Sequence, residues 1–244
     1  MAVYVIADLH LSTLESTNKS MEVFGARWQG YQEKLAKNWR ALVEETDTIV
    51  IPGDISWAMS LEEAKSDLAF IHALPGKKIF LKGNHDFWWA SMQKNLALLE
   101  SEDLHSLSFL YHTARVCEHL ILAGTRGWFC EDVTNPSLDP QDKKVIDREA
   151  LRLEMSLKEA KALKEQNPSL EIVAFFHFPP LWNGVACEPF FDLMEQYGVR
   201  RCYFGHIHGS YHLPRTNTYR GIACTCIAAD HLSFTPLHIA KEME

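Results

Sequence analysis

Cysteine pairs with C-x-x-C spacing, long apolar runs and an excess of basic residues are all missing from this chain of 244 residues. Its six cysteines occur singly or as Cys-x-Cys, which excludes the C-x-x-C pairs of thiolate zinc sites and dithiol redox centres. This usage is typical of reduced, mostly buried thiols, so we expect a cytoplasmic protein. The formal net charge of -8 argues against a surface that wraps a long nucleic acid. A small anionic ligand at a local cationic site is still compatible with that charge.

No apolar run approaches the roughly 20 residues of a membrane-spanning helix, so we expect no membrane partner. Met1 leads directly into the apolar residues 2–7, without a basic region or a cleavage pattern, and we expect no signal peptide. Hydrophobic residues make up 47% of the chain, which is ample for a core. Because the candidate functional residues run from Asp8 to His208, we expect one domain over residues 1–244. The oligomeric state is left open.

Short runs rich in Val and Ile alternate with helical patterns in the first third of the chain, which predicts the order β-α-β-α-β. Strands are expected at 3–7, 48–52 and 78–81, and helices at 29–45, 60–73 and 90–100. Later strands are expected at 107–112, 115–123, 172–176 and 201–204, with helices at 142–166 and 190–196. The segments 107–112 and 115–123 are expected to be adjacent, and 220–228 and 232–240 to form a final pair. This order predicts two sheets packed face to face with helices outside.

Five short polar clusters follow apolar runs, each at an expected strand end. They are Asp8-Leu9-His10, Gly53-Asp54, Gly83-Asn84-His85-Asp86, His177 and Gly205-His206-Ile207-His208. One Asp-x-His is uninformative, whereas five such clusters in this order are hard to obtain by chance. Together they supply seven candidate metal ligands and leave one histidine, His85, for acid-base chemistry.

We expect these ligands, each at a strand end, to be divided between two ions. Side chains two residues apart in a strand point the same way, so Asp8 and His10 are expected to reach one ion together. His208 is expected to turn back toward the same ion. Asp54 is the expected bridging ligand, since a carboxylate has two oxygens. The ligands left for the second ion are Asn84, His177 and His206.

Nitrogen and oxygen ligands without thiolate suit two divalent or mixed-valence ions of Mn, Fe, Zn or Co. Such a pair can lower the pKa of a bridging water, so that the resulting hydroxide attacks phosphorus in an in-line displacement. His85 is interpreted as the general acid that protonates the leaving alkoxide. Asp86 is interpreted as the carboxylate that orients His85 or raises its pKa. The sequence therefore predicts a hydrolase of phosphate mono- or diesters.

The motifs D-L-H, G-D, G-N-H-D, H-F-P-P and G-H-I-H resemble those of the calcineurin-like metallophosphoesterase superfamily, from Asp8 through His208. The resemblance implies a metallo-dependent phosphatase-like fold, a four-layer α/β/β/α sandwich of two mixed sheets flanked by helices. It also implies the same ligand assignment, residue by residue. The chain is similar to bacterial predicted phosphohydrolases with G-D-I-S-W-A and G-N-H-D-x-W-W segments, here Gly53–Ala58 and Gly83–Trp89. The expected partner is a small-molecule phosphate ester.

The second motif differs from that of one branch of the superfamily, and this difference bears on the expected activity. Protein serine/threonine phosphatases of this superfamily have G-D-x-x-D-R at the second motif, and the arginine grips phosphate. Here the same positions read Gly53-Asp54-Ile55-Ser56-Trp57-Ala58. We therefore do not expect protein phosphatase activity.

Three residues outside the ligand set are candidates for binding substrate. Arg126 follows an expected strand and is a candidate phosphate clamp in place of the missing arginine; the alternative is an ordinary ion-paired arginine. Trp57 and Trp88 are candidates for an apolar or base-stacking wall; the alternative is that they pack behind the site.

Two other functions stay open. A non-catalytic metal-binding interaction module on the same fold would be expected to have lost ligands or the acid histidine, and this chain has kept both. A nuclease fits the chemistry, but the acidic net charge gives it little support.

Overall fold

The computed structural model describes residues 1–13, 19–129 and 140–240. These residues form two mixed β-sheets that share a hydrophobic core and are flanked by helices. The expected sandwich of two sheets between helices is thereby confirmed.

The first sheet has five strands. Numbered in chain order, they are β1 (Val3–Val5), β2 (Thr48–Pro52), β3 (Lys77–Leu81), β4 (Leu107–Phe109) and β13 (Leu237–His238). Their spatial order is β13-β1-β2-β3-β4, and every pairing is parallel except that of β13 with β1. The connecting helices are α1 (Tyr31–Leu42), α2 (Leu61–His72) and α3 (Met92–Ser101). All five residues of β2 are buried, as expected for a parallel strand covered on both faces.

The second sheet has six strands. They are β5 (Arg115–Cys117), β6 (Leu120–Thr125), β7 (Glu171–Phe176), β10 (Arg201–Phe204), β11 (Thr216–Tyr219) and β12 (Ile222–Cys226). Their order is β11-β12-β10-β7-β6-β5, with parallel central strands and antiparallel edges. The small hairpin of β8 (Leu181–Trp182) and β9 (Val185–Ala186) stands apart. The helices α4 (Pro140–Gln166) and α5 (Glu188–Gln196) contact each other, and α4 packs on β6 and β7.

Successive side chains of a central strand pack in two different hydrophobic clusters. Val173 and Phe175 of β7 belong to the core that includes the first sheet, whereas Ala174 and Phe176 pack in the cluster that includes α4 and α5. Successive side chains of a strand point to opposite faces, so one apolar run serves both interfaces. Two 3₁₀ turns, Met21–Phe24 and Ala26–Trp28, lie before α1.

Two expected strand pairings are wrong. The segments 107–112 and 115–123 are not adjacent, because β4 joins β3 in the first sheet while β5 and β6 form a hairpin in the second. The two strands expected at the end of the chain do not pair either. Instead, β12 lies between β10 and β11, and β13 pairs with β1. Alternation predicts that a segment is a strand, but the partner is decided by which sheet covers its apolar face.

Two expectations from composition can be compared with the fold. None of the helices in the described ranges is both long enough and apolar enough to cross a bilayer. Cys117, Cys202, Cys224 and Cys226 are free thiols. Cys187 is disulfide-bonded, so the expectation of reduced thiols is wrong at that residue.

Candidate metal centre

The five polar clusters lie just beyond the carboxyl ends of β1, β2, β3, β7 and β10. Parallel strands end at one edge of a sheet, so both sheets deliver their loops to the same region. Backbone hydrogen bonds tie the first two loops together: the N–H of Asp8 donates to Gly53 (3.1 Å) and that of His10 to Asp54 (2.9 Å). The site therefore spans the edges of both sheets.

Glycines allow these loops to approach closely. A Cβ atom at Gly83 would overlap the carboxylate of Asp54, and one at Gly205 would overlap that of Asp8. Gly53 combines a φ of 95° with a position where a Cβ would lie 2.6 Å from the Nδ1 of His177. The glycines that open three of the five motifs thus give room for a carboxylate or imidazole from another motif.

Four ligand-type residues adopt left-handed backbone conformations. The φ angles of Asp8, His10, Asp54 and His206 are 58°, 45°, 50° and 70°. Since β1 already ends at Val5, the argument that Asp8 and His10 share a face of a strand is wrong. Tight turns bring the two side chains together instead. Such conformations cost of order 1 kcal/mol each and cluster at functional sites.

The first candidate metal-binding cluster consists of Asp8, His10 and His208, whose ligand atoms all lie within 4.8 Å of one another. The Nε2 atoms of His10 and His208 face each other at 3.2 Å. Both carboxylate oxygens of Asp8 accept a hydrogen bond from the backbone N–H of His206, at 2.9 Å. Asp8 is thereby held in place by the loop of the last motif.

The second cluster consists of Asp54, His177 and His206, again within 4.8 Å. Asn84 belongs with it, because its Oδ1 lies 2.6 Å from the Nε2 of His177 and 2.8 Å from the Nδ1 of His206. Those two ring nitrogens are 3.2 Å apart. The structure thus brings a carboxylate, an amide oxygen and two imidazoles to one point.

Asp54 lies between the two clusters. Its Oδ2 is 3.6 Å from the Nε2 of His10, and its Oδ1 is 3.5 Å from the Nε2 of His177. The seven residues expected as ligands are therefore all brought together, with one carboxylate facing both groups.

The electrostatics of these groups fit bound cations. Burial lowers the pKa of His177 and that of His206 to about 3, so both rings are neutral and present lone pairs. Burial also raises the pKa of Asp54 to about 6 and that of Asp8 well above its ordinary value. Buried carboxylates facing neutral imidazoles lack a counter-charge, and divalent ions would supply it.

Ring orientation is fixed from behind by two acceptors. The Nδ1 of His177 donates to the carbonyl of Pro52 (3.2 Å), which directs its Nε2 to the cluster. The Nδ1 of His208 donates to Asp230 Oδ1 (2.9 Å). Burial opposes ionisation of Asp230, but hydrogen bonds from His208 and Tyr211 hold its pKa below the ordinary value. Both histidines are thus held in the ligand tautomer.

Asp230 was missed by the sequence reasoning. It follows β12 after the apolar residues Ile227, Ala228 and Ala229, so the signal was the same as in the five motifs. No glycine or histidine-rich motif adjoins Asp230, so the sequence pattern alone did not identify it as a site residue.

His85 lies at the edge of the centre. Its backbone N–H donates to Asp54 Oδ1 (2.8 Å), and its ring lies 4.5 Å from that of Trp57, between centroids. The buried Nδ1 has no hydrogen-bond partner among the described residues. His85 is therefore beside the candidate ligands without being one of them.

The expected contact between Asp86 and the His85 ring is not formed within the described residues. Asp86 is fully buried, and its carboxylate accepts hydrogen bonds from backbone N–H groups of the neighbouring loops. The donors include Gly83 (2.7 Å), Asp54 (3.0 Å) and Ile55 (2.9 Å). Asp86 thus links the loop of Gly83 to the loop of Asp54 and Ile55. Its oxygens accept from these backbone groups and not from the ring of His85.

The candidate substrate residues fall in different places. Trp57 stacks on His10, with ring centroids 4.8 Å apart, and lines the cavity at the centre. Trp88 does not line this cavity: it is 2% exposed and donates through Nε1 to Asp86 (3.0 Å). Arg126 lines a neighbouring cavity. Of the three, Trp57 alone is among the described residues that face the candidate ligands.

The cavity at the centre, which four of the seven candidate ligands line, has a volume of about 360 Å³. His10, Asp54, His85, His206 and His208 form its polar side. The rest of the wall is apolar or aromatic, with Met21, Phe24, Trp28, Trp57 and Tyr211. The arrangement can thus hold a charged group at the polar side and an apolar group next to it.

Comparison with known proteins identifies relatives of this fold. The family model described as calcineurin-like phosphoesterase matches residues 1–210. Phosphopantetheinyl hydrolase from Mycobacterium tuberculosis is similar in structure, with a TM-score of 0.57, 14% identity and coverage of 99% of this chain and 96% of that one. The protein TT1561 from Thermus thermophilus gives a TM-score of 0.58, 11% identity and coverage of 97% of both chains. No curated protein sequence gives a significant match. At these identities the likeness to solved structures concerns the fold alone.

Proposed function

The chain belongs to the calcineurin-like phosphoesterase family, and from that premise we propose that it is a dinuclear metal-dependent phosphohydrolase of small phosphate esters. The family assignment and the two Asp/His clusters support metal-dependent phosphoester chemistry in general. The dinuclear centre, the roles of individual residues and the substrate are our proposal. Cytoplasmic location and the choice among Mn, Fe, Zn and Co stay predictions.

The position of Asp54 carries the proposal of two ions. Its two oxygens face different clusters, at 3.6 Å from His10 and 3.5 Å from His177. A carboxylate in this position suits a bridging ligand, with Asp8, His10 and His208 on one side. The ligands on the other side are Asn84, His177 and His206. Bound ions would supply charge neutralisation and water activation for displacement at phosphorus.

His85 is proposed to protonate the leaving oxygen. Its backbone is anchored to Asp54, and its ring faces the cavity beside Trp57. The ring thus lies next to the phosphate position and on the side of the apolar wall. A leaving group on that wall would be within reach of the His85 proton.

The cavity wall supports a substrate with an apolar or aromatic group next to phosphate. Trp28 and Trp57 offer ring faces, and Met21 and Phe24 extend this surface outward. Phe24 is 68% exposed and Val23 is 81% exposed, so the apolar surface continues beyond the cavity.

Turnover of aryl phosphate probes tests the proposal. Chelated protein is reloaded with Mn, Fe, Zn or Co, and the hydrolysis of an aryl monoester and an aryl diester is compared. We expect hydrolysis to depend on added metal and metal analysis to give two ions per chain. The preferred probe assigns the enzyme as a monoesterase or a diesterase.

Two variants sharpen this test. Asp54→Asn should lower both bound metal and turnover, because the bridging carboxylate is lost. His212→Gln changes an exposed histidine outside the centre and should leave both unchanged. A metal-replete wild type without activity on either probe would contradict the hydrolase and favour a non-catalytic metal-binding module.

A further inference from the structure

A second cavity, next to the metal centre, has four basic side chains in its wall. Its volume is about 300 Å³. The charged residues in its wall are Lys82, Arg126, Arg148, Arg152 and Glu149. Four cations and one carboxylate meet here, although the whole chain has a formal net charge of -8. The cavity therefore has a local excess of positive charge in a chain that is acidic overall.

Glu149 does not neutralise the cations around it. It is fully buried, and its Oε1 is shared by Arg152 Nη1 at 2.6 Å, Arg148 Nε at 3.6 Å and Arg126 Nη2 at 3.9 Å. Its Oε2 accepts a hydrogen bond from the hydroxyl of Thr125 (2.6 Å). One carboxylate thus faces three guanidinium groups, which form no other salt bridge within the described residues.

The cavity also holds donors that are poorly satisfied. The Nε of Arg126 is buried and has no hydrogen-bond partner within the described ranges. The ammonium of Lys82 donates to the carbonyl of Trp89 over a long 3.4 Å. An anion in the cavity would give the Lys82 ammonium and the guanidinium groups of Arg126, Arg148 and Arg152 an acceptor and a counter-charge.

The backbone joins this cavity to the metal centre. Lys82 precedes the Gly83-Asn84 segment by one residue, and the carbonyl of Arg126 accepts hydrogen bonds from the N–H groups of His177 (3.0 Å) and Phe178 (2.9 Å). The second cavity therefore adjoins the segments that carry Asn84 and His177, although it shares no lining residue with the cavity at the centre.

We propose that the cavity of Lys82, Arg126, Arg148 and Arg152 binds a phosphate-class oxyanion at a position separate from the metal centre. Arginine forks match the geometry of phosphate oxygens, and four cations against one carboxylate suit a dianion. The anion is a second phosphoryl group of the substrate or a free phosphate, which present the same chemistry. Only the first source rests on the proposed function.

Calorimetric titration with inorganic phosphate tests the site. The full-length protein is titrated in its metal-loaded form and again after chelation. Chelation should abolish phosphate binding at the metals and leave one binding event at the basic cavity. Arg148→Gln and Arg152→Gln should each weaken this event about tenfold, since each loses charge-assisted hydrogen bonds. Arg40→Gln, an exposed position on α1, is the matched control and should bind as the wild type does.

The outcomes separate this proposal from the proposed function, because phosphate binding needs no hydrolysis. Chelated wild type that fails to bind phosphate overturns it, as does binding that both arginine variants keep at full strength. Arg152→Gln leaves the buried Glu149 with a weaker partner, so circular dichroism accompanies each titration. The Arg148 side chain is 51% exposed, and its variant keeps the test open if Arg152→Gln does not fold.

Alkane bisphosphates of graded length separate the two sources of the anion. If one substrate spans both cavities, a bisphosphate of matching length should bind metal-loaded protein at least tenfold more tightly than an alkyl monophosphate. Arg148→Gln should remove that advantage. If no length gives an advantage while phosphate still binds chelated protein, the site takes a free anion.

Discussion

Asp230 Oδ1 lies 2.9 Å from the Nδ1 of His208, and this contact turns the other ring nitrogen of His208 toward His10. The carboxylate is fully buried, and its Oδ2 accepts hydrogen bonds from Tyr211 (2.8 Å) and the backbone of Gly209 (3.2 Å). The loop after β12 thus holds a candidate ligand that comes from the loop after β10. A carboxylate behind a histidine fixes its tautomer and raises its basicity as a ligand.

Asp230→Asn should weaken metal binding ten- to a hundredfold. The amide keeps the shape of the side chain but removes the charge that favours the Nδ1–H tautomer of His208. Competition with a metal-binding dye measures the affinity. Asp47→Asn is a matched control, since Asp47 is a buried carboxylate that accepts hydrogen bonds from Ala2 and Glu44. Equal metal affinity in the two variants would contradict the role of Asp230.

His85→Ala should lower turnover a hundredfold or more while metal content stays at the wild-type level. The reason is that His85 lies beside Asp54 without being positioned as a ligand. The loss should be larger for an alkyl phosphate than for a nitrophenyl phosphate, because a poor leaving group needs the proton more. Metal analysis and steady-state kinetics with both esters provide the measurement. A loss equal for both esters would argue against proton donation by His85.

Gly83→Ala should abolish metal binding at the centre. The added Cβ would overlap the carboxylate of Asp54, so the proposed bridging ligand has to move. Displacement of packed groups costs about 1 to 3 kcal/mol, and a thermal melt should show it. Gly198→Ala is the control: its φ is 71°, but a Cβ there meets nothing within 4 Å. It should lower stability without changing metal content, and metal loss in both variants would point to a global effect.

The motifs predicted which side chains meet, whereas the backbone that brings them together was not predictable from alternation. Asp8 and His10 were placed on one face of a strand, but both residues have positive φ beyond the end of β1. The expected grouping follows from the resemblance and from strand ends meeting at one edge. The turn geometry depends on contacts such as that of Asp8 with the backbone of His206, 198 residues away along the chain.

Residues behind the candidate ligands were harder to predict. Asp86 stands beside His85 in sequence, yet its oxygens bind backbone N–H groups of two loops. Asp230 stands alone after an apolar run and supports His208. In a tight turn, the direction of a side chain does not follow from its sequence neighbours. It depends on hydrogen bonds to residues distant in the chain, which a single sequence does not reveal.

Lys78 of β3 should make stability depend on pH above neutrality. Its side chain is fully buried, and its ammonium donates to the carbonyls of Leu74 and His72 and the hydroxyl of Ser106. Burial lowers the pKa of Lys78 to about 8 from an ordinary 10.5. Between these values the unfolded chain keeps the proton that the folded chain has lost, so the stability of the folded state rises with pH in this window.

Comparison with Lys78→Met isolates this contribution from those of tyrosines and cysteines, which titrate in the same range. Denaturant unfolding is measured for both proteins at pH 7 and pH 10.5. The free energy of unfolding of the wild type should increase relative to that of Lys78→Met by roughly 2 to 3 kcal/mol between these values, since each pKa unit is worth about 1.4 kcal/mol. Lys77→Met changes the exposed neighbour and keeps Lys78. The difference in free energy of unfolding between the wild type and Lys77→Met should therefore be the same at both pH values. A constant difference between wild type and Lys78→Met would mean that the buried amine keeps its proton throughout, with its three acceptors outweighing the cost of burial.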